Sequence, residues 1–378
     1  MIVLQVIPGL EGGGAQLSVL ETVAAIAAAG GTALVASGGG GMVPRIAAAG
    51  GRHIGLPLET KNPLAIWRNA ARLAALVRAE RADLVHAHSR AVAWSALLAA
   101  RRTGVPLVTT WHGAYGENFP LKRRYNAVMG AGDRVIAVSR FIAERIAARH
   151  GLAPPRLRVV PPGVDPARFD PRAVGPERKA ALARAWGLPQ GRPIVMLPGR
   201  LARWKGQGVL LGALARMAEP ASVGMLVGPV AGRERYVAVL KARAAALGIA
   251  DRVIFAGGTD DMPAALALAD IVVNASTEPE AFGRVVIEAQ AMERPVIVAD
   301  HGAGPETVEE GKTGWRVPPG REAALAAALD RALALTPAGR AAIGAAAREA
   351  VIRFYSLSAM QAATLGIYRE LISTGEGR

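Results

Sequence analysis

The chain has 378 residues, no cysteine, and 45 Lys+Arg against 30 Asp+Glu, a formal charge of +15. That length suggests two domains, each with its own core, and the lack of cysteine excludes a disulfide framework, a thiolate metal site and a cysteine nucleophile. Hydrophobic residues make up 51%, too many for a disordered chain.

Met1–Pro8 alternates like a strand and has no basic leader, so no secretory signal is expected. The longest uncharged stretch, Thr22–Pro44, is interrupted by Gly30-Gly31 and by Gly38–Gly41. No piece of it reaches the ~20 apolar residues of a membrane span. The expectation is a cytoplasmic protein, at most peripheral on a membrane. Its basic excess is uneven: residues 1–185 hold 24 basic against 11 acidic residues, and residues 186–378 hold 21 against 19. The first half is therefore the one suited to an anionic partner.

In chain order, β-branched runs predict strands at 2–7, 32–36, 53–57, 83–88, 106–111, 134–138 and 157–160. Ala-rich segments near 15–29, 63–79, 90–102, 120–130 and 140–149 predict the helices between them. Strands separated by such helices imply βαβ units and a doubly wound parallel sheet. Residues 161–192, rich in Pro, Gly and charge, predict a linker. A second series follows, with strands at 193–198, 223–228, 252–255, 270–274 and 295–299, and helices near 205–218, 234–248, 261–268 and 284–292. Two helical segments, 321–353 and 357–371, close the chain. The economical architecture is two Rossmann-like halves facing a cleft, with the chemistry in the loops after the strands.

The first such loop, Gly9-Leu10-Glu11-Gly12-Gly13-Gly14, opens a helix. A plain tight turn and a ligand loop explain it equally well. His112 ends the strand Leu107–Trp111 beside Gly113, where an imidazole can meet a sugar hydroxyl or simply cap the loop. His86 and His88 point to one side of a strand, but no third ligand is spaced to complete a metal site. In the second half, Arg200 and Lys205 flank a strand-to-helix loop as a plausible diphosphate clamp. The strongest local signal is Glu278-Pro279-Glu280-Ala281-Phe282-Gly283-Arg284 followed by Glu288. A loop-then-helix path can point Glu280 and Glu288 into one cleft, with the N–H groups around Phe282–Val285 facing an anion between them. The alternative is an acidic helix start placed for dipole reasons, which leaves Glu288 unexplained.

Taken in order, Gly13-Gly14, His112-Gly113, Pro161-Pro162-Gly163-Val164-Asp165, Gly199-Arg200, Lys205-Gly206, the Glu280/Glu288 pair and Gly302-Ala303-Gly304-Pro305-Glu306-Thr307 resemble the retaining glycosyltransferases of family 4. The resemblance covers almost the whole chain and implies the GT-B fold. It implies an acceptor-binding domain at 1–178, a donor-binding domain at 187–356, and a last helix within 357–378 that crosses back to the first domain. It further implies that Arg200 and Lys205 neutralise the diphosphate of a UDP- or GDP-linked donor. Glu280 would hold donor-sugar hydroxyls, and Ala281, Phe282, Gly283 and Arg284 would bring N–H groups to the diphosphate. Glu288 would take the ribose hydroxyls, His112 would contact the donor sugar, and Gly13 and Gly14 would let the first loop close over the phosphates. Members more often carry Glu where this chain has Gln16.

No Asp-x-Asp occurs, so Arg200, Lys205 and helix N-termini are expected to replace a divalent cation, and neither metal nor cofactor is expected. The implied reaction is front-face transfer with retention at the anomeric carbon. The run Glu278–Val308 looks most like bacterial lipopolysaccharide and envelope-glycan transferases, which suggests a saccharide or lipid-linked anionic acceptor. Arg101-Arg102, Lys122-Arg123-Arg124 and a stripe of Arg140, Arg145 and Arg149 beside Phe141, Ile142 and Ile146 suggest an anionic membrane surface. A nucleotide-sugar epimerase would need a proton-abstracting cluster, and none stands out. A non-enzymatic nucleic-acid or membrane module leaves Glu280, Glu288, Arg200 and Lys205 unexplained, and aromatic residues for base stacking are only 4%.

Overall fold

The structure is a computed structural model that describes residues 1–116 and 119–375. The chain divides into two units, Met1–Pro162 together with the segment from Leu357 onward, and Gly163–Ser356. The first unit runs β1 (Ile2–Val6), α1 (Gly14–Ala28), β2 (Thr32–Ser37), α2 (Val43–Ala48), β3 (Gly51–Gly55), α3 (Pro63–Glu80), β4 (Leu84–Ala87), α4 (Arg90–Thr103), β5 (Leu107–Trp111), α5 (Pro120–Asn126), β6 (Arg134–Ala137), α6 (Arg140–His150) and β7 (Leu157–Val159). The second runs α7 (Pro176–Ala185), β8 (Ile194–Pro198), α8 (Gln207–Leu214), β9 (Val223–Val227), α9 (Glu234–Ala246), β10 (Val253–Gly257), α10 (Met262–Ala267), β11 (Ile271–Asn274), α11 (Arg284–Ala291), β12 (Val296–Ala299), α12 (Gly304–Thr307), β13 (Trp315–Val317), α13 (Glu322–Ala334) and α14 (Pro337–Phe354). The last helix, α15 (Leu357–Gly375), belongs to the first unit.

Each unit is one parallel sheet. The orders are β3-β2-β1-β4-β5-β6-β7 and β10-β9-β8-β11-β12-β13. Both reverse direction once, between β1 and β4 in the first and between β8 and β11 in the second. At each reversal an aspartate ties the two strands. Asp83, just before β4, accepts the Ile2 N–H at 2.6 Å, and Asp270, just before β11, accepts the Ile194 N–H at 2.8 Å. Strands such as β1, β4, β8 and β11 are mostly apolar because both faces are covered, with Gln5, His86 and Asn274 the polar exceptions.

Helix boundaries follow local chemistry. Asn62 caps α3 through the Leu64 and Ala65 N–H groups, with Pro63 at the first position, where a missing N–H costs nothing. The segment 321–353, read as one helical stretch, is two helices. Thr336 accepts the Gly339 N–H and Pro337 cannot continue α13, so the chain restarts there. Residues 161–192 are not all linker, since they contain α7, and the first unit ends at Pro162 rather than at 178. Hydrogen bonds explain the shift. Val164 N–H donates to Tyr355, Arg348 donates to the Phe169 carbonyl, and Arg178 pairs with Asp261, all within the second unit. Helix α2 and strand β13 have no counterpart in the sequence reading, because six and three residues are too few to show a period.

The expected stripe on α6 also divides. Ile142 and Ile146 are buried against the sheet, whereas Arg140 and Arg149 are exposed and Arg145 donates to the Tyr115 carbonyl. Positions four apart share the inward face, so the apolar pair cannot also face a membrane. Helix α15 packs Met360, Leu365, Tyr368 and Leu371 into the core formed by β1, α1 and β2, and Glu370 pairs with Arg134 and Arg158. Tyr368 is fully buried, so Tyr368→Ala should lower unfolding stability by about 3–5 kcal/mol. Urea denaturation of the full chain checks it, and a parental midpoint would show that α15 lies outside the cooperative core.

Candidate functional site

In the second unit the loops leaving β8 and β11 diverge from the reversal point, where open α/β sheets leave a crevice. The β8 loop is Gly199–Gly206 and includes a 3-10 turn at Arg203–Lys205. Gly206 has φ +77°, and a Cβ there would lie 1.9 Å from the Ala275 carbonyl oxygen, so only glycine lets the two loops touch. The contact is fastened by Thr277, whose N–H donates to the Trp204 carbonyl at 2.7 Å.

This close approach brings Lys205 to Glu280. Their Nζ and Oε1 atoms lie 2.8 Å apart, with both side chains mostly buried. The Ser276 hydroxyl also donates to Glu280. A third loop, after β12, supports the first two. Ala303 N–H donates to the Glu280 carbonyl at 3.1 Å, and Gly302, at φ +62°, leaves no room for a Cβ above the Glu280 backbone. His301 Nε2–H donates to the Ser276 carbonyl at 2.9 Å. Asn274, Ser276, Glu280, Phe282 and His301 line one small pocket.

Helix α11 starts from Gly283 in the left-handed region, with no side-chain cap on its first turn. Such an end attracts an anion. Phe282 is buried edge-on against Tyr355, and Ala281 joins it to Glu280. Arg284 and Glu288 face each other one turn apart at 3.9 Å, and Arg284 also donates to the Gly163 carbonyl. Lys205, Glu280 and the start of α11 are therefore gathered together, and Glu288 lies further along that helix. Arg200 is exposed at the loop's beginning, and its carbonyl is held by the buried Gln207 amide at 3.1 Å. Sequence reasoning missed Ser276, His301 and Gln207. His301 carried a signal of the His112 kind, a histidine just past a strand end before glycine.

In the first unit Gly13 caps α1 at φ +130° and Gly14 is its first residue. Gln16 turns back toward the Gly9 carbonyl at 3.5 Å, so its amide supports the loop. His112 follows β5 and its Nε2 lies 3.1 Å from Nδ1 of His88. His88 Nε2 meets Gln5 Oε1 at 3.0 Å. His86 is held between Tyr368 Oη at 2.5 Å and Thr110 Oγ1 at 2.7 Å, and its ring lies 3.9 Å from that of His88. Burial pushes His86 down to about 3, with the His112 charge adding to the effect. Burial, then His86 and His112, hold His88 well below the usual imidazole range. Burial pushes the Tyr115 hydroxyl up to about 12. Ser18, Thr22, His86, His88 and His112 line one pocket of this unit. The pair read as structural is thus joined directly to His112 at the end of the neighbouring strand β5, a strand pairing that sequence spacing does not reveal.

Two doubly wound parallel units, each with its polar loops at a strand-order reversal, define the GT-B class of fold. Comparison with known proteins agrees. The model "Glycosyltransferase Family 4" matches residues 12–168 and "Glycosyl transferases group 1" matches residues 179–350. The chain is 35% identical over 295 residues to the GDP-mannose-dependent alpha-(1-6)-phosphatidylinositol monomannoside mannosyltransferase of Mycobacterium tuberculosis (strain CDC 1551 / Oshkosh), covering 74% of this chain and 68% of that one. Among solved structures, a glycosyltransferase from Rickettsia africae ESF-5 superposes with a TM-score of 0.91 at 31% identity, over 98% of each chain. Anabaena HepE in complex with UDP gives 0.86 at 25% identity, over 98% of this chain and 100% of that one. The chain belongs to the family 4-type glycosyltransferases.

Folded, His86 is neutral down to about pH 3, whereas an unfolded histidine takes a proton near 6.5. The stability it contributes is complete above about pH 6.5 and is lost as pH falls toward about 3, by up to ~1.4 kcal/mol per pH unit. His86→Asn should therefore flatten the fall of Tm with acid by about one proton. An unchanged slope would show that His86 protonates freely in the fold.

Proposed function

We propose that the protein is a retaining, metal-independent transferase that moves a sugar from a UDP- or GDP-linked donor to a saccharide or lipid-linked anionic acceptor. The observation that carries this reading is the buried Lys205–Glu280 pair at the β8–β11 reversal, beside the uncapped start of α11. The carboxylate can accept sugar hydroxyls, the ammonium can neutralise a diphosphate, and the N–H groups of the first helical turn supply further donors. Arg200, exposed at the mouth of the same loop, adds a forked cation. The names of two similar proteins support the donor class, one specifying GDP-mannose and the other a bound UDP.

In this reaction the bond from the anomeric carbon to the phosphate oxygen breaks, and the oxygen keeps the electron pair. Lys205, Arg200 and the α11 N–H groups stabilise that developing charge. The acceptor hydroxyl adds on the same face, and its proton passes to the departing phosphate oxygen. In the second unit Glu280 orients the donor sugar and Glu288 takes the ribose hydroxyls; in the first, the family resemblance assigns His112 a contact to a sugar and lets the Gly13-Gly14 loop admit a phosphate. The decisive assay is release of nucleoside diphosphate that depends on acceptor. Release without acceptor, or no release from any UDP- or GDP-sugar, would overturn the reading.

In that assay Lys205→Ala and Arg200→Ala should each lower kcat about a hundredfold, on the order of 3 kcal/mol; the exposed Arg200 can be removed with an unchanged unfolding midpoint, whereas Lys205→Ala, which leaves Glu280 without its ammonium, should also lower the midpoint. Turnover should persist in excess EDTA. Near-parental rates in both variants, or a loss restored only by metal, would refute this account of leaving-group neutralisation.

The acceptor is proposed to be part of an envelope glycan, lipopolysaccharide included, met at the inner face of the cytoplasmic membrane. The mycobacterial relative's name specifies a phosphatidylinositol-linked acceptor, which favours lipid linkage. In the first unit Phe119 and Leu121 are exposed beside Lys122, Arg123 and Arg124 of α5, an apolar and basic surface suited to anionic lipid. Co-sedimentation with anionic vesicles should be strong at low salt and weak at high salt. Equal binding to neutral vesicles would remove the electrostatic basis.

A further inference from the structure

Gln5 is the one polar residue of β1, and it is wholly buried. A primary amide pays heavily for burial unless both of its ends are hydrogen-bonded. Its Nε2 donates to the Val19 carbonyl of α1 at 3.4 Å, and its Oε1 faces His88 Nε2 at 3.0 Å. The Val19 carbonyl can only accept, so the amide nitrogen must face it, and the amide oxygen must face His88. His88 Nε2 therefore carries a proton. Burial keeps His88 neutral, which leaves Nδ1 as its acceptor nitrogen. His112 Nε2 lies 3.1 Å from that Nδ1, and the ring centroids are 5.4 Å apart, a separation that suits rings meeting nitrogen to nitrogen. His112 must be the donor.

We infer that Gln5 and His88 are positioning residues that hold the His112 ring in place by accepting its Nε2–H. Direction is set once, by a helix carbonyl, and passes through two side chains to the strand end. The inference rests on the proposed contact between His112 and a sugar. It adds that the orientation of the His112 ring is set from β1, through His88. His86, held by Tyr368 and Thr110, lies with its ring 3.9 Å from that of His88 and so crowds it against turning over.

The test is the two-bond proton–nitrogen spectrum of the full chain labelled with 15N-histidine, near pH 7.5, with His112 assigned from His112→Gln. The parental spectrum should show His112 protonated at Nε2, and this needs no variant that must fold. In Gln5→Leu, which removes the fixed acceptor, His88 and His112 should both shift toward the Nδ1–H form. In the same variant kcat should fall about tenfold or more while the donor KM changes little, since orientation and not affinity is lost. Gln5→Met, of similar volume, should repeat that pattern. A parental His112 with no proton on Nε2 overturns the inference. So does an unshifted His112 in both variants, whatever their rates. Absence of turnover by the parental chain with every donor would instead overturn the transferase reading, and the placing of the Nε2 proton would stand on its spectrum.

Discussion

The reversal of strand order between β8 and β11, matched by that between β1 and β4, is the constraint on which the rest depends. Crossovers to either side of such a point cover opposite faces of the sheet, so the two loops leaving it must part. The gap this leaves at the carboxyl ends of the strands is where polar groups gather in both units. Asp83 and Asp270 hold the amino ends of the same strand pairs together, which fixes the register from the far side.

Within the second unit, the gap is closed at one point by contact that tolerates no side chain. Gly206 against Ala275 and Gly302 against Glu280 set the spacing of three loops. That spacing leaves an ammonium and a carboxylate paired in partial burial, where their attraction exceeds what water would allow. The pair is held by backbone geometry, so the charges are in place before any ligand arrives, the condition for electrostatic catalysis without reorganisation.

The first unit solves a different problem, the burial of polar rings. Gln5, His86, His88, Thr110 and Tyr368 satisfy one another, so their desolvation cost is offset by hydrogen bonds that also specify direction. Helix α15 supplies Tyr368 to this set from the far end of the chain. Its apolar face packs with α1, so the first core is complete only when residues from both ends of the sequence have met.

Periodicity and loop chemistry in the sequence alone determined the two parallel sheets, most helix boundaries and the placing of Glu280, Glu288, Lys205 and His112 at strand or helix ends. Those features are local, and local patterns survive in one dimension. Short elements such as α2 and β13 were not legible, because in three to six residues a period does not repeat. Nor was the role of residues 163–186, whose Pro and Gly content reads as linker although long-range bonds from Arg348 and Asp261 fasten them to the second unit. Only tertiary structure decided that Lys205 meets Glu280, that Ser276 and His301 support it, and that Gln5 reaches His112 through His88. Apart from Ser276 and Glu280, which share one loop, those contacts join residues that lie on or follow different strands, and strand order, which no spacing along the chain encodes, is what brings them within hydrogen-bond reach.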